Sequence, residues 1–282
     1  MRVSTPGALW RSSHPGPTSI VTALASALGW SAGLDPARIV LLALAVLAGQ
    51  LSVGISNDAI DAPRDRIASR PDKPIARGEV TLAVAWGAAL VSLATALTLS
   101  ALLGAGMLAA HALALGSAWA YNAWLKSTPA SIVPFLVSFG IFPSLATLSA
   151  PQPAVAPGWT WIAGAALGAA VHLTNVLPDL DQDAATGVRG LPHRLGPRVS
   201  AAVAACAVVA GAVVVLIGSA GGEASVVSAI SWAFFAGVVV VAVATLLAAL
   251  LRPPSRTLFR LVMLAALLLA AQLVAAGRVL AG

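Results

Sequence analysis

The sequence predicts an all-α integral membrane protein, a bundle of nine transmembrane helices that forms a single domain over residues 1–282. Its residues are 59% hydrophobic and only 9% charged, with a mean hydropathy of +0.92. A soluble domain carries about a quarter charged residues, so this chain has too few to cover a water-facing surface. Its apolar runs are close to the ~20 residues that span a bilayer as a helix, and they lack the alternation of a membrane β-barrel.

Nine apolar runs are separated by polar or Pro/Gly-rich breaks. They cover residues 18–34, 38–56, 81–103, 105–121, 131–149, 159–177, 199–219, 224–251 and 258–279. Backbone groups in lipid must be satisfied internally, and a helix does so within each run. The break at Gly104 is the weakest, so the third and fourth runs are the least clearly separated.

The basic residues are distributed so unevenly that they predict the orientation of the bundle. The chain has 16 Lys and Arg residues and a formal net charge of +6. If nine helices cross the membrane, only Arg38 and Arg278 lie on the side opposite the other basic residues. The positive-inside rule then predicts a multi-pass protein of the inner (plasma) membrane with a cytoplasmic N-terminus and an outer C-terminus. This rule accounts for the positive charge, so no nucleic-acid partner is expected.

Most acidic residues fall in two segments, about 57–80 and 175–198, which we interpret as cytoplasmic loops after the second and sixth runs. The first segment contains Asp58, Asp61, Asp65, Asp72 and Glu79, and the second contains Asp179, Asp181 and Asp183. Acidic residues contribute little to topology, so orientation in the membrane does not explain this clustering.

Both segments place one asparagine and two aspartates at four-residue steps, which share one face of a helix. The first stripe consists of Asn57, Asp61 and Asp65, and the second of Asn175, Asp179 and Asp183. Asp58 lies beside the first stripe, and Asp181 points away from the second. The repeated pattern indicates a weak internal repeat, and we expect its two stripes to face each other across the bundle.

Clustered carboxylates at a membrane face need a counter-charge. Like charges four residues apart destabilise a helix, and ionisable groups near hydrocarbon are functional by default. Oxygen ligands suit Mg²⁺, which is usually held by one or two carboxylates together with substrate phosphates. Two such sites could grip a diphosphate and make it a leaving group. The competing interpretation, ordinary acids in a solvated loop, does not account for two matched stripes.

Basic residues beside the acids suit the same chemistry. Arg70, Lys73 and Arg77 follow the first stripe, and Lys126 lies in the loop that follows the fourth run. Arginine and lysine bind phosphate and can neutralise charge on a departing diphosphate. For the other basic residues of these segments, including Arg64, a role in topology is the better interpretation.

The histidines and phenylalanines inside the runs have less specific signals. His111 and His172 are expected to be packed, hydrogen-bonded side chains rather than metal ligands. Phe135, Phe139 and Phe142 share one helix face and could line a lipid groove or steady a carbocation, although core packing is favoured.

Several of these segments resemble the signatures of the UbiA-type intramembrane prenyltransferases. Asn57 to Asp65 matches the NDxxDxxxD signature, and Arg70 to Gly78 is similar to the basic tail that follows it. Tyr121 to Lys126 resembles the short YxxxxK element of the same family. Asn175 to Gly187 is similar to the second aspartate signature, and 191–196 to its trailing segment.

The resemblance implies nine transmembrane helices around a lipid-open cavity capped by the two motif loops. It implies Mg²⁺-dependent transfer of a prenyl group from a prenyl diphosphate to an electron-rich acceptor, aromatic or a quinone precursor, in the lipid bilayer. The implied metal ligands are Asn57, Asp58, Asp61, Asp65, Asp179 and Asp183. The implied diphosphate-binding residues are Asn57, Arg70, Lys126 and Asn175. The implied catalytic residues are Asp61, Asp65, Asp179, Asp183 and Lys126.

Two alternatives remain open at this level. A terpene cyclase of the same superfamily would share the ionisation of the diphosphate but would need no acceptor. A transporter with a midplane ion site also buries carboxylates, but these acids lie at one membrane face. No motif identifies the acceptor.

Overall fold

The computed structural model describes residues 5–177, 180, 187–221, 227–251 and 256–276. Within these ranges the protein is all-helical, with ten α-helices and no strand. The helices are α1 (Thr5–Ser12), α2 (Pro15–Ser31), α3 (Pro36–Ile67), α4 (Leu82–Leu103), α5 (Ala105–Ala123), α6 (Val133–Thr147), α7 (Gly158–Asn175), α8 (Leu191–Ser219), α9 (Ala229–Leu251) and α10 (Arg256–Ala276). Two 3₁₀ turns, Leu125–Ser127 and Pro129–Ile132, join α5 to α6.

Helices α2 to α10 overlie the nine predicted apolar runs, so the all-α membrane architecture is confirmed. In the described part of the chain, six segments are long and apolar enough to cross a bilayer. They are Pro36–Ile67, Leu82–Leu103, Pro129–Thr147, Leu191–Ser219, Ala229–Leu251 and Thr257–Ala276. That all nine helices cross the membrane stays a prediction, as does the sidedness of the loops. The weak break at Gly104 does separate two helices, with Gly104 at φ 136°.

Helix α3 differs from the prediction in length. It begins at an Asp35 cap, whose carboxylate accepts hydrogen bonds from the backbone N–H groups of Ala37 and Arg38. It continues beyond the predicted end at residue 56, through Pro63, to Ile67. The first aspartate motif therefore lies on a helix and not in a loop, and only the part after Ile67 connects to α4.

The second predicted loop is also shorter than expected. Helix α8 starts at Leu191, inside the predicted loop 175–198, and bends at Gly196, where φ is 76°. The short helix α1 was not predicted, because its eight residues include too few apolar side chains to form a run.

Helices α6 and α7 pack with almost no side chain between their backbones. Gly164 and Gly168 of α7 lie four residues apart and face α6. A Cβ atom at Gly164 would lie 2.2 Å from the Phe139 carbonyl oxygen, and one at Gly168 would lie 2.4 Å from the Phe135 carbonyl oxygen. Small residues at this spacing let membrane helices approach closely. This contact sets the position of the next turn of α7, which carries His172.

A second close contact positions the N-terminal helices. A Cβ atom at Gly54 of α3 would lie 2.5 Å from the Ser13 carbonyl oxygen, so the turn between α1 and α2 rests on the α3 backbone. Gly54 lies one helical turn before Asp58. The contact therefore holds His14, the residue after Ser13, next to Asp58. The main hydrophobic core includes the fully buried Leu42 and Leu269.

The α6–α7 contact predicts a position-specific response to a single methyl group. Gly168→Ala should lower the free energy of unfolding by about 1–3 kcal/mol, because the methyl group has no space beside the Phe135 carbonyl. Gly116→Ala is the matched control: it lies in α5 with nothing within 4 Å of its Cβ position, so stability should be unchanged or rise by up to about 1 kcal/mol. Unfolding in detergent by denaturant titration measures both. Equal effects would contradict the close packing.

Candidate active site

The first predicted stripe meets Lys126 at one end of the bundle. The Lys126 ammonium donates to Asp61 Oδ1 and, at 3.4 Å, to Asn57 Oδ1. Arg64 Nη2 lies 3.1 Å from Asp61 Oδ2. The side chains of Asp61 and Lys126 are only about one-tenth exposed, at 10% and 11%. Three of the residues predicted from the motif, together with Arg64, therefore form one buried polar cluster.

Burial affects the lysine of this cluster directly. It lowers the pKa of Lys126, and the adjacent Asp61 carboxylate opposes that shift. The Asp61 carboxylate is thus the main electrostatic partner that favours the charged form of this largely buried lysine.

Asp65, the last member of the stripe, has an unused oxygen. The residue is 4% exposed, and its Oδ2 atom has no hydrogen-bond partner among the described residues. Its other oxygen lies 3.9 Å from Arg64 Nε. An unpaired carboxylate oxygen is costly to bury, so this atom is a candidate ligand position.

Asp58 faces a different set of partners. Its Oδ1 atom lies 2.7 Å from Lys73 Nζ and 3.0 Å from His14 Nε2, and the residue is 2% exposed. These contacts tie α3 to the start of α2 and to the segment after Ile67. The metal-ligand role predicted for Asp58 stays a prediction. In the structure its carboxylate has an anchoring role, because it holds Lys73 and His14 against α3.

Arg70 forms a two-pronged ion pair with Asp72. Its Nε and Nη2 atoms donate to the two carboxylate oxygens at 2.9 Å each. This guanidinium holds the pKa of Asp72 at about 2. Arg70 also lines a cavity of about 240 Å³ with Asp65, Arg66, Ser69, Pro71, Ala76 and Arg77. A second cavity, of about 310 Å³, borders the opposite flank of the motif and is lined by Arg11, His14, Pro15, Gly16, Pro17, Asp58, Asp72 and Lys73.

The second stripe is described only at its start. Asn175 is the exposed last residue of α7, whereas Asp179, Asp181 and Asp183 lie outside the described residues. The chain that follows returns to the first cluster, because a Cβ atom at Gly190 would lie 2.5 Å from the Lys126 carbonyl oxygen. The predicted facing of the two stripes stays a prediction that this approach supports.

Aromatic side chains of α5 and α6 meet His172 beside this cluster. The Phe135 ring centroid lies 4.7 Å from that of His172, and the Tyr121 centroid lies 5.9 Å from it. Phe139 stacks beyond Phe135 at 6.4 Å and 7°. As predicted, His172 and His111 are buried and hydrogen bonded: Ser131 Oγ lies 3.0 Å from His172 Nε2, and Ser100 Oγ lies 2.7 Å from His111 Nδ1.

Three residues that contact the aspartates of the first motif were not predicted as site residues. Arg64 was interpreted as a topological residue, although its position three residues after Asp61 was a usable signal. Lys73 lies in a basic segment that the sequence does single out. His14 has no local signal, because its contact with Asp58 joins positions 44 residues apart.

The family model of the UbiA prenyltransferase family matches residues 19–264. The chain belongs to the UbiA prenyltransferase family. This membership confirms the predicted family and the predicted enzyme class, a prenyltransferase. No curated protein sequence matches the chain.

Solved structures share the fold at low sequence identity. A digeranylgeranylglyceryl phosphate synthase is 14% identical with a TM-score of 0.71, over 96% of this chain and 98% of that one. A UbiA homologue from Archaeoglobus fulgidus bound to GPP and Mg²⁺ is 15% identical with a TM-score of 0.71, over 95% and 99%. The same homologue bound to Cd²⁺ is 16% identical with a TM-score of 0.67, over 95% and 98%. At these identities the likeness establishes the fold alone.

The contacts of Asp58 predict a structural effect of neutralising it. Asp58→Asn should lower the free energy of unfolding by about 1–3 kcal/mol, because Lys73 and His14 lose the charge that they face in a largely buried site. It should also speed tryptic cleavage after Arg77, which is followed by Gly78. Asp72→Asn is the control, because the Asp72 side chain is 55% exposed and such pairs contribute about 0–1 kcal/mol. A fully stable Asp58→Asn protein with normal protease resistance would contradict this anchoring role.

Proposed function

We propose that this chain transfers a prenyl group from a prenyl diphosphate to an electron-rich acceptor, aromatic or a quinone precursor, in a Mg²⁺-dependent reaction within the membrane. The observation that carries the proposal is the buried cluster of Asn57, Asp61, Asp65, Arg64 and Lys126. It combines oxygen ligands for a divalent cation with two fixed positive charges, and both are needed to hold a diphosphate. The A. fulgidus homologue is bound to both GPP and Mg²⁺, which supports a prenyl diphosphate and a magnesium ion as the two molecules bound at this site.

The donor set of the first motif fits a hard divalent cation but is incomplete by itself. Among the described residues, no three His, Cys, Asp or Glu side chains form a metal site. Asp61, Asp65 and Asn57 supply oxygen atoms only, and Asp65 Oδ2 is available. We propose that Asp179 and Asp183 complete the set. When bound, Mg²⁺ would neutralise the diphosphate and polarise it as a leaving group.

The basic residues of the cluster act on the phosphate groups. Lys126 and Arg64 are held beside Asp61 before substrate arrives, so little reorganisation is needed when negative charge develops on the departing diphosphate. We assign Arg70 and Asn175 to the same phosphates, from their positions in the two motifs. The carbocation that ionisation leaves behind needs surroundings from which water is excluded.

The orientation in the membrane is part of the proposal. With the site on the cytoplasmic side of the inner membrane, a water-soluble or membrane-borne diphosphate reaches it from the side that carries nearly all the Lys and Arg residues. The apolar tail of the substrate then extends into the bundle or the lipid, where apolar surface is favourable.

The two-motif site predicts a non-additive loss of activity. Asp61→Ala and Asp179→Ala should each lower Mg²⁺-dependent diphosphate release by at least ~100-fold, because losing one ligand misplaces the charge that stabilises the leaving group. The double variant should lose little more than either single variant, since the two motifs act as one unit. Release of diphosphate from a prenyl diphosphate by protein in detergent measures all three.

Glu79→Gln is the control for these variants, because it removes an acid from the same part of the chain. Within the described ranges, the Glu79 carboxylate pairs with Arg11 and Arg77 and with no residue of the cluster. It should keep nearly normal turnover. Wild-type release that persists in EDTA, or ordinary activity in Asp179→Ala, would refute the proposed role of the acids.

Acceptor dependence distinguishes transfer from cyclisation. Purified enzyme is incubated with Mg²⁺ and with geranyl, farnesyl or geranylgeranyl diphosphate, with and without a panel of phenolic acceptors, and organic extracts are analysed by mass spectrometry. We expect prenylated acceptor and a rise in diphosphate release when the acceptor is present. A cyclic hydrocarbon or alcohol formed without acceptor would instead assign the cyclase reaction.

A further inference from the structure

One nitrogen of His172 is left without a partner in a closely packed part of the protein. The residue is 1% exposed. Its Nε2 atom lies 3.0 Å from Ser131 Oγ, whereas Nδ1 is buried and has no hydrogen-bond partner among the described residues. Buried polar atoms are nearly always paired, so each exception needs an explanation.

The contacts of Ser131 determine which nitrogen carries the proton. Ser131 Oγ accepts a hydrogen bond from the backbone N–H of Leu191 at 2.8 Å. Its own proton has one acceptor among the described residues, His172 Nε2, so we assign Nε2 as the acceptor of that pair. A ring buried among aromatic side chains is neutral, since burial disfavours the charged form. The proton of the imidazole therefore lies on Nδ1, which makes this atom an unused donor.

The surroundings of this donor suit an aromatic ligand. Tyr121 and Phe135 flank the imidazole with centroids at 5.9 and 4.7 Å, and Phe139 extends the apolar surface. All three rings are only half-buried, unlike the imidazole. The charged groups that would hold a diphosphate, Lys126 and Arg64, belong to the neighbouring cluster. A neutral N–H among aromatic rings matches an oxygen on an apolar molecule better than a phosphate.

We propose that His172 Nδ1–H donates a hydrogen bond to an oxygen of the acceptor, which lies against the Tyr121, Phe135 and Phe139 rings. This inference rests on the proposed transferase function and identifies where the acceptor binds. It makes His172 a specificity residue: a site with a buried donor favours an oxygen-bearing aromatic ring over the same ring without the oxygen. The close α6–α7 contact holds the donor in place, because Gly164, Gly168 and His172 follow one another at four-residue steps.

Two substitutions separate this role from a structural one. The amide nitrogen of asparagine reproduces a donor near Nδ1 but does not reach Ser131. The amide of glutamine reaches the position of Nε2 and can keep the Ser131 contact, but it leaves no donor at Nδ1. A donor role therefore predicts that His172→Asn retains recognition and His172→Gln loses it. A purely structural role of the Ser131 contact predicts the reverse order.

The test uses the full chain in detergent and two probes, 4-fluorophenol and 4-fluorotoluene, whose dissociation constants are measured by ¹⁹F NMR. Comparing the ratio of the two constants between variants cancels partitioning into the micelle. Wild type and His172→Asn should prefer the phenol by about 3- to 10-fold, and His172→Gln should lose that preference. His111→Gln is the control, since it alters a buried, serine-bonded histidine away from these rings, and it should keep the wild-type ratio.

The outcomes are decisive in both directions. A wild-type protein without preference for the phenol, or a His172→Gln protein that keeps it, would overturn the proposal. Probe binding requires no diphosphate chemistry, so it is independent of the turnover experiments. Failure of Mg²⁺-dependent release with the phenol preference intact would refute the transferase function and leave the oxygen-recognition site standing.

Discussion

Neutralisation of buried carboxylates on α3 is the constraint on which this end of the protein depends. Asp58, Asp61 and Asp65 are between 2% and 8% exposed and lie on a single helix. A buried acid is tolerated only when it is paired or hydrogen bonded. The polar partners come from separate segments: His14 from the start of α2, Lys73 from the connection to α4, and Lys126 from the turn after α5. The acids thus help to join separate parts of the chain, which also pack through a shared apolar cluster that includes Ala8, Ile55 and Ile75.

The three aspartates divide two tasks because of the helical repeat. Asp58 lies off the stripe, and its oxygen is occupied by Lys73 and His14. Asp61 lies on the stripe and shares Lys126 with Asn57, while Asp65 retains a free oxygen one turn further on. Asp58, three residues before Asp61, therefore faces other parts of the protein. Asp65, four residues after Asp61, faces the site. This arrangement suits a site that must be rigid before a charged substrate binds.

Local patterns in the sequence predicted what is determined locally. Apolar run length located nine helices, and the four-residue step placed Asn57, Asp61 and Asp65 on one face. The end of α3 was missed, because the polar residues after position 56 look like a loop. Tertiary ion pairs and the packing of Ala59 and Ala62 bury this part of the helix. The contact between His14 and Asp58 was missed for the same reason: it depends on how closely the α1–α2 turn approaches Gly54. Nothing in the local sequence encodes that distance.

Helix α7 connects the two halves of the proposed reaction. Its glycines fix it against α6, its next turn carries His172 among the aromatic rings, and it ends at Asn175, where the second motif begins. Because these residues lie within three turns of one helix, their relative positions change little unless the helix itself bends. The glycine contact therefore sets two distances together, that of the imidazole from the α6 rings and that of Asn175, where the second motif begins, from Lys126. The proposed acceptor position and the proposed diphosphate position are thereby coupled through the packing of a single pair of helices.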